Sequence, residues 1–575
     1  MSDQRAMSKL VYICARNSEK HPFDARDIGQ LSILLTPDNI QPRAPFVIEG
    51  DGILIGIHNA TESLPVSGYS VCLGAFFGEV KDWWRPSGEI PDGTYALFRG
   101  DNSCIELVSD IVATRTIWYI KTDDIFIAST SQRAIVYFLQ SFQPNPAVYP
   151  WMLSSGTLGP GLSWDRRIRC LGPDSRLILD RSLWKYKVIQ GKVIFSPSKY
   201  SREEQEEQLK KTITNVVDSL CVDLRKWILP LSGGYDSRAI LMMLKDRPGL
   251  KTVTWGRRNA LNDVSSDAWV AGMLARHYGI ENEYLETDIS LEPVVRIFKR
   301  FLLAGEGRVD HISGYMDGLA IWKHFYESGT QGILRGDEAF GCAAVQNINQ
   351  VYKNMSFMVL SDFTGIDLVE SECGMAGQRR PEDFEKKQFE SLEIWRDRVN
   401  AQFEIPVLFA ALNDIKLSYV EVISPLLSRK IVEQVRSLPD KMRTDKLLFK
   451  NIVTNIGPNI DYAKRPAIES RGNILRDGRA TDVVLNHLRD ISKKSKVMAG
   501  LADHASRLIE DDRSRGNKGM SDFMNVVNGI TNKFIKLANK PTFMDPYCFA
   551  FRIYIIDRME EVLVQDSKML IDSTA

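Results

Sequence analysis

Hydrophobic residues follow two different patterns along the chain, and the change comes near residue 200. Before that point, short apolar runs such as LVYICAR and FVIEGDGILIGI are separated by turn residues, which is typical of β-strands. After it, apolar runs alternate with segments of helical spacing, which favours a parallel sheet between helices. The sequence thus predicts an α/β protein with a mostly β domain over residues 1–195 and a second domain over residues 201–575. The second domain is predicted to turn helical from about residue 405.

The segment Trp227–Leu244, WILPLSGGYDSRAILMML, predicts a buried strand, a tight loop and a helix. The loop Ser232–Ser237 would lie at the helix N-terminus, where free backbone N–H groups and the helix dipole attract anions. Its paired glycines leave room for a phosphate beside the backbone, and its serines add hydroxyl donors. The spaced glycines and the Gly-Lys-Ser/Thr ending of a Walker A loop are absent, so the sequence predicts a phosphate-binding loop of another type.

Asp236 makes the prediction for this loop more specific. A carboxylate inside a phosphate-binding loop repels the ligand unless a divalent cation lies between them. The loop therefore predicts a polyphosphate bound together with magnesium. The alternative from these residues alone is a glycine-rich turn in which Asp236 caps the following helix.

The loop SGGYDS resembles the pyrophosphate-binding loop, SGGxDS, of the asparagine synthetase-like and related ATP pyrophosphatases. A second segment, Gly332–Cys342 (GILRGDEAFGC), resembles the GxGxDExFGG motif of the same family. The resemblance implies an adenine nucleotide α-hydrolase-like, doubly wound parallel sheet with helical additions, which binds ATP and Mg²⁺. It implies that Asp236 and Asp337 hold the metal. The nucleotide contacts that it implies are Leu231, Ser232, Gly233, Gly234, Asp236, Ser237, Trp255, Gly256 and Gly336. Trp255 is equally compatible with a place in the core.

Residues 92–129, from DGTYALF to FIAS, resemble the glutaminase domain of asparagine synthetases. The resemblance implies an N-terminal nucleophile (Ntn) type αββα sandwich. The nucleophile of that family is a cysteine exposed once the initiator methionine is removed, whereas this chain has Ser2 at that place. Because the first strand is predicted to begin near Leu10, Ser2 would belong to a polar leader, and Cys14 would be a core residue. We expect a degenerate domain that keeps the fold and lacks glutaminase activity.

The segment 461–468, DYAKRPAI, is similar to the RxKxG loop of the family, whose lysine projects into the active site. The resemblance implies that Lys464 stabilises developing negative charge, with Lys446 and Arg465 in reserve. The family often places a glutamate or tyrosine three residues before the second metal-binding aspartate, where this chain has Leu334. The base that deprotonates the incoming amine therefore stays open, and the candidates are Glu306, Glu338 and Glu421.

Composition and charge exclude several classes of function. Lys plus Arg and Asp plus Glu number 73 each, so no basic field points to nucleic acid. No apolar run approaches the roughly 18 residues that a membrane span requires. The eight cysteines are scattered without a CxxC pair, and no secretory signal is evident, so we expect a cytoplasmic protein with reduced thiols. The sequence leaves open whether the protein forms a homodimer.

The resemblance implies an ATP-dependent, AMP-forming ligase that joins a carboxylate to an amine. The favoured hypothesis is adenylation of a specialised small-molecule or peptide carboxylate followed by amide formation, as in β-lactam synthetases and lasso-peptide cyclases. One alternative is an ammonia-dependent asparagine synthetase. The other is a nucleotide-binding scaffold without catalytic activity.

Overall fold

The computed structural model describes residues 9–17, 22–59, 64–354, 378, 380–494, 496–516 and 545–570. Its first part contains two six-stranded antiparallel sheets. The first sheet has the order β10-β8-β9-β1-β3-β2 and consists of β1 (Lys9–Ala15), β2 (Phe46–Gly50), β3 (Ile53–His58), β8 (Trp118–Lys121), β9 (Ile125–Ser129) and β10 (Arg169–Cys170). The second has the order β12-β11-β7-β6-β5-β4 and consists of β4 (Val66–Ser67), β5 (Ser70–Phe76), β6 (Gly93–Gly100), β7 (Cys104–Ser109), β11 (Ser175–Asp180) and β12 (Lys185–Gln190).

The two antiparallel sheets pack face to face, because alternate residues of each strand point into a shared apolar core. Tyr12, Ile55, Leu73 and Phe98 belong to this core. The other face of the first sheet is covered by two helices, α1 (Ala25–Leu35) and α2 (Gln132–Leu139). The first strand begins at Lys9, in agreement with the expected start near Leu10.

The outer face of the second sheet differs from the predicted αββα arrangement. The turn-rich segment 78–92 covers it instead of a helical layer. The reason is a buried ion pair between Arg99 and Glu106 on this face. Arg99 donates to the carbonyl groups of Trp83 and Glu89, and the amide of Ser87 donates to Glu106. An irregular segment supplies these backbone groups, whereas a helix uses most of its own internally.

The third sheet is parallel and has the strand order β15-β14-β13-β16-β17. Its strands are β13 (Trp227–Pro230), β14 (Lys251–Gly256), β15 (Asn282–Glu286), β16 (Gly332–Leu334) and β17 (Glu421–Ile423). One face, with Leu229 and Leu334, packs on a helical layer that includes α4 (Arg202–Asp218) and α5 (Asp236–Leu244). The opposite face, with Ile333 and Val422, packs on a layer that includes α7 (Val294–Gly305) and α8 (Ala320–Glu327). Helical layers thus cover both faces of the parallel sheet, and the described part of the molecule is of the mixed α/β class.

The described ranges contain further helices. They are α3 (Val148–Ser155), α6 (Asp267–Tyr278), α9 (Ile348–Asn354), α10 (Leu392–Val399), α11 (Ala410–Leu417), α12 (Arg429–Arg436), α13 (Asp440–Arg443), α14 (Leu447–Ile456), α15 (Arg471–Leu475), α16 (Gly478–Lys494), α17 (Lys496–Gly516) and α18 (Pro546–Asp566). A π-helical turn, Asn400–Phe409, joins α10 to α11.

Helix α18 packs against helices of the antiparallel part of the molecule. Its apolar residues share one core with α2 and α3, and Arg133 of α2 forms a buried ion pair with Asp566, with Nε 2.8 Å from Oδ2. The antiparallel and parallel parts are thereby packed against each other. None of the helices in the described ranges is long and apolar enough to span a membrane.

Candidate functional site

Strands β13 and β16 lie side by side at the centre of the parallel sheet, and the chain leaves them in opposite directions. From β13 it continues to β14 and β15 on one side, and β16 and β17 lie on the other. The loops after β13 and β16 therefore diverge at the carboxyl edge of the sheet and leave a crevice between them. Ligands of open α/β sheets bind at such a point.

A cavity of about 310 Å³ occupies this crevice. It is lined by Pro230, Leu231, Ser232, Asp236, Ser237, Val253, Thr254, Trp255, Asp267, Arg335, Gly336, Asp337, Pro466, Ala467 and Ile468. Seven of the predicted site residues are thus brought together: Leu231, Ser232, Asp236, Ser237, Trp255, Gly336 and Asp337. Gly233, Gly234 and Gly256 lie beside the cavity without lining it, and Glu338, Lys446 and Lys464 also fall outside the lining.

Internal hydrogen bonds hold the loop Ser232–Ser237 in shape. The Oγ of Ser237 accepts from the amide of Ser232 at 3.0 Å and lies 3.0 Å from its hydroxyl. The amide of Gly233 donates to Oδ1 of Asp267 at 3.1 Å. Gly233 also packs closely, because a Cβ there would lie 2.5 Å from the Cβ of Ala463. The loop conformation is therefore fixed by the protein itself.

Helix α5 begins at Asp236, within this loop, and its N-cap residue, Tyr235, makes no side-chain capping hydrogen bond. The alternative interpretation, in which Asp236 caps the helix, is therefore wrong. The first-turn N–H groups of α5 are left for another acceptor, and Asp236 and Ser237 of this turn line the cavity.

Asp236 is paired with a lysine from a distant part of the chain. The Nζ of Lys446 lies 3.1 Å from Oδ1 of Asp236 and 2.6 Å from Oε1 of Glu338, so one ammonium bridges two carboxylates. Burial raises the pKa of Asp236, and Lys446 opposes the rise. Burial likewise raises the pKa of Glu338, to about 7, again against the effect of Lys446. The two carboxylates raise the pKa of Lys446 despite its burial, so the lysine is a cation.

Asp337 is held by different partners. Its Oδ1 accepts from Arg335 Nη2 at 3.0 Å, and its Oδ2 accepts from the Ser424 hydroxyl at 3.1 Å. Burial acts to raise the pKa of Asp337, but Arg335 and Lys416 outweigh it and hold the pKa below its usual range. The loops of Asp236 and Asp337 approach closely at Gly336, where a Cβ would lie 3.0 Å from the amide nitrogen of Ser237.

The donor set around these carboxylates suits magnesium better than a metal held by the protein alone. In the described ranges, no group of three or more His, Cys, Asp or Glu residues is arranged to hold a metal. Magnesium usually keeps several waters and takes one or two carboxylates together with substrate phosphates. Asp236 and Asp337, on adjacent loops of one cavity, fit that role.

The wall opposite the sheet is formed by the segment 460–468, which is fastened to the loop after β13. Arg238 donates to the carbonyl groups of Ile460 and Asp461 at 2.8 and 2.9 Å, and its guanidinium lies 3.9 Å from the centre of the Tyr462 ring. The amide of Ala463 donates to the carbonyl of Gly233 at 3.1 Å. The segment that resembles the RxKxG loop thus lies at the cavity, where Pro466, Ala467 and Ile468 line it.

Lys464 lies in this wall, but its side chain is exposed and does not line the cavity. Its backbone amide donates to the carbonyl of Ser265 at 2.8 Å, which fixes the position of the residue. Within the described part of the chain, its ammonium has no ion pair. Its neighbour Arg465 forms an exposed ion pair with Asp263 at 3.3 Å. Of the predicted lysines, Lys446 is therefore the one in contact with a carboxylate of the cavity.

Trp255 combines the two roles that the sequence leaves open. It lines the cavity, and its ring packs against Trp322 with 5.5 Å between the ring centres. Gly256, at the end of the same strand, permits close contact with the opposite wall, since a Cβ there would lie 2.5 Å from the Cβ of Ala467.

Two of the three candidate bases are engaged elsewhere. Glu306 is buried between the two parts of the molecule, where it accepts from the amide of Gln132 at 2.8 Å and pairs with Lys9. Glu421 is buried against Arg115. Glu338, through the shared Lys446, is the candidate that adjoins Asp236.

Neither Ser2 nor Cys14 is expected to act as a glutaminase nucleophile. Ser2 lies outside the described residues. Cys14 is fully buried in β1, and burial raises the pKa of its thiol to about 11. The core role expected for Cys14 agrees with this position.

Sequence reasoning missed Asp267, Arg335 and Ser424. Asp267 lines the cavity and anchors Gly233, and it follows a serine at the start of a predicted helix, a pattern that could have pointed to it. Arg335 follows β16 inside the second segment, Gly332–Cys342, and the sequence does not distinguish it from any other charged turn residue. Ser424 reaches Asp337 from a segment 87 residues away in sequence, which no local pattern reveals.

No family model and no curated protein matches this chain. A solved structure described as the allosteric regulatory enzyme of purine biosynthesis is similar at 10% identity over 48% of this chain and 80% of that chain, with a TM-score of 0.20. A glutamine phosphoribosylpyrophosphate amidotransferase from B. subtilis, complexed with ADP and GMP, is similar at 11% identity over 50% of this chain and 67% of that chain, with a TM-score of 0.19. Likenesses this distant carry no argument about function, so the proposal below rests on the residues of the site.

Proposed function

We propose that the chain is an ATP-dependent, AMP-forming carbon–nitrogen ligase of the asparagine synthetase-like type. A carboxylate of a small-molecule or peptide substrate attacks the α-phosphate of ATP and releases pyrophosphate. An amine then attacks the acyl-adenylate and displaces AMP, which leaves an amide. We infer a specialised biosynthetic substrate, because the chain has Ser2 where the family's glutaminase has its nucleophilic cysteine.

One observation carries this proposal: the loops after β13 and β16 border a single cavity, and Asp236 and Asp337 both line it. An uncapped helix N-terminus and two carboxylates in one crevice are an unfavourable combination for a simple anion. They suit a polyphosphate that arrives with a divalent cation. The two motifs that resemble the family supply both features.

The residues of the cavity would have two roles in the first step, phosphate binding and metal binding. The first-turn amides of α5 and the hydroxyls of Ser232 and Ser237 would bind the β- and γ-phosphates. Asp236 and Asp337 would hold magnesium, which neutralises the charge of the leaving pyrophosphate when it is bound. The first step is thus electrostatic catalysis by preorganised donors, since the loop is already fixed by its own hydrogen bonds.

The second step needs an acceptor for the amine proton and a cation for developing negative charge. Glu338 is the carboxylate that the site offers as acceptor, because Glu306 and Glu421 have buried partners elsewhere. Lys464 lies in the wall of the cavity with an ammonium that is not committed to an ion pair among the described residues. Lys446 is the reserve for the same role.

The test is incubation with ATP, Mg²⁺ and a panel of carboxylic acids and short peptides, with hydroxylamine or ammonia as the amine. We expect AMP and pyrophosphate in equal amounts and a hydroxamate or amide of one acid. ADP and phosphate in their place would overturn the mechanism.

The same assay separates the two alternatives. Turnover of aspartate with ammonia, in preference to every other acid, would favour an asparagine synthetase. Binding of a non-hydrolysable ATP analogue without pyrophosphate release from any acid would favour a nucleotide-binding scaffold.

A further inference from the structure

Cations of the chain itself contact the carboxylates in and beside the cavity. Lys446 Nζ lies within 3.2 Å of both carboxylate oxygens of Asp236 and 2.6 Å from Glu338. Arg335 Nη2 lies 3.0 Å from Asp337. Three carboxylates are thus paired with two cations of the chain.

An unusual backbone conformation positions Lys446 beside these carboxylates. Asp445 and Lys446 both adopt left-handed conformations with φ of 56°, directly before α14. Residues with a side chain rarely adopt this conformation, and such strain persists where the surroundings enforce it. Here the amide of Asp445 donates to the carbonyl of Cys342, at the end of the loop that carries Asp337 and Glu338. The position of the ammonium is therefore coupled to the second motif.

A lysine ammonium and a divalent cation would compete for the carboxylate oxygens of Asp236. They are like charges competing for the same two oxygens, in a site that burial partly shields from water. A polyphosphate changes this balance, because it brings several negative charges and its own oxygen ligands for the metal. The ammonium of Lys446 would then find a new partner among the phosphate oxygens.

We propose that Lys446 is an internal counterion that occupies the metal position beside Asp236 until nucleotide binds, so that the metal enters only together with the nucleotide. This inference rests on the proposed function for the identity of the site. It goes further in assigning an order of binding and in giving Lys446 a role before the chemistry begins. The other cations that face the cluster, Arg335, Lys416 and Lys450, do not contact Asp236 directly.

The experiment measures Mn²⁺ binding by the electron paramagnetic resonance signal of free Mn²⁺, with and without α,β-methylene-ATP. For the wild-type protein, we expect the non-hydrolysable analogue to tighten Mn²⁺ binding about tenfold or more, because the nucleotide adds ligands and removes the competing ammonium. Equally tight Mn²⁺ binding by the wild type without the analogue would overturn the proposal, and this measurement needs no variant.

The variant Lys446→Met tests the cation itself. It should raise the affinity for Mn²⁺ alone about tenfold, since the site gains net negative charge and loses its competitor. Lys450→Met is the matched control. Its ammonium lies 5.4 Å from the Tyr235 ring centre, in the field of Asp236 but without contact, so its removal should change Mn²⁺ affinity by no more than about twofold. Lys446→Met with unchanged or weaker Mn²⁺ binding would overturn the proposal.

Failure of this inference and failure of the proposed function give different results. Mn²⁺ binding is read without turnover. If Mn²⁺ binds tightly only with the nucleotide, but no acid leads to pyrophosphate release, the ligase function is contradicted and the counterion role of Lys446 is supported. If pyrophosphate is released and Mn²⁺ binds tightly without the nucleotide, the ligase function is supported and the counterion role is contradicted.

Discussion

The guanidinium of Arg238 lies 3.9 Å from the ring centre of Tyr462, and this contact joins the first turn of α5 to the opposite wall of the cavity. Arg238 is almost fully buried, and Tyr462 also stacks on Tyr235 with 3.8 Å between the ring centres. The same guanidinium donates to two carbonyl groups of the wall, at Ile460 and Asp461. The loop Ser232–Ser237 and the segment 460–468 are therefore held in a fixed position relative to each other.

Arg238→Lys should weaken the binding of an ATP analogue about tenfold. Lysine keeps the charge but loses the planar fork that reaches both carbonyl groups and stacks on the ring. Isothermal titration calorimetry with α,β-methylene-ATP and Mg²⁺ measures the effect. Tyr462→Phe, which keeps the ring and removes only the hydroxyl 3.1 Å from Thr454, is the control and should bind as the wild type does. Unchanged affinity of Arg238→Lys for the ATP analogue would show that the segment 460–468 keeps its position without this contact.

Asp236→Asn and Asp337→Asn should each reduce pyrophosphate release about a thousandfold or more, because each removes one of the two carboxylates available to magnesium. Both side chains are at the cavity and neither belongs to an apolar core, so the variants should remain folded by circular dichroism. Asp263→Asn is the control, since that carboxylate lies in a neighbouring loop on Arg465 and outside the cavity lining. Full activity in either cavity variant would remove that residue from the metal site.

The local features of the site could be predicted from the sequence because they depend on neighbouring residues. An apolar run, a glycine pair and a resumed helical spacing define the order of β13, loop and α5 in Trp227–Leu244. The serine and glutamate pattern after Tyr200 predicts α4, and Ser201 and Glu204 do form a capping box there. In each case, the determinants lie within a few residues of each other.

What the sequence could not reveal depends on contacts between distant segments. Lys446 and Asp236 are 210 residues apart in the chain, and only the packing of α14 beside α5 brings them together. Motif register alone favours Lys464 over Lys446, and it cannot report that the Lys464 side chain is exposed. The layer over the second antiparallel sheet was expected to be helical, and the buried Arg99 that recruits carbonyl groups there has no signature in hydrophobic periodicity.

The protein should not hydrolyse glutamine above background. A glutaminase of this kind needs a thiolate, and in the described part of the antiparallel sandwich burial raises the pKa of every cysteine thiol: Cys14, Cys72, Cys104 and Cys170. Glutamate release from glutamine measures this directly, and Cys14→Ala should leave the background unchanged. Release that disappears in Ser2→Ala would overturn the prediction.

Glu404→Gln should make the protein more heat-stable at alkaline pH. Burial raises the pKa of Glu404 from 4.5 to about 7, and its Oε2 accepts from Asn400 Nδ2 at 2.7 Å. A carboxyl whose pKa is raised by folding contributes stability below its unfolded pKa and loses it as pH rises through the folded value, a change of roughly 3 kcal/mol. The glutamine variant lacks this loss.

Thermal unfolding at about pH 5 and about pH 8 measures the effect of Glu404→Gln. The variant should match the wild type at the lower pH and exceed its Tm at the higher pH. Glu393→Gln, in the preceding helix and only partly buried, is the control and should show no such difference. Equal Tm values for Glu404→Gln and the wild type at both pH values would contradict the prediction.

Lys464→Met should slow amide formation while leaving the affinity for the ATP analogue nearly unchanged. Its backbone is held near the cavity by a hydrogen bond, and its side chain does not line the cavity. Its ammonium would therefore meet the negative charge that develops only as the amine attacks. One well-placed charged contact of this kind changes the rate roughly a hundred- to thousandfold. Arginine should rescue the rate only in part, because its planar fork does not replace a compact ammonium.

Arg465→Met, which removes an adjacent cation already paired with Asp263, is the matched control and should stay within about threefold of the wild type. If Lys464→Met forms amide at the wild-type rate, the register taken from the RxKxG resemblance is wrong, and Lys446 becomes the cation to test in the second step.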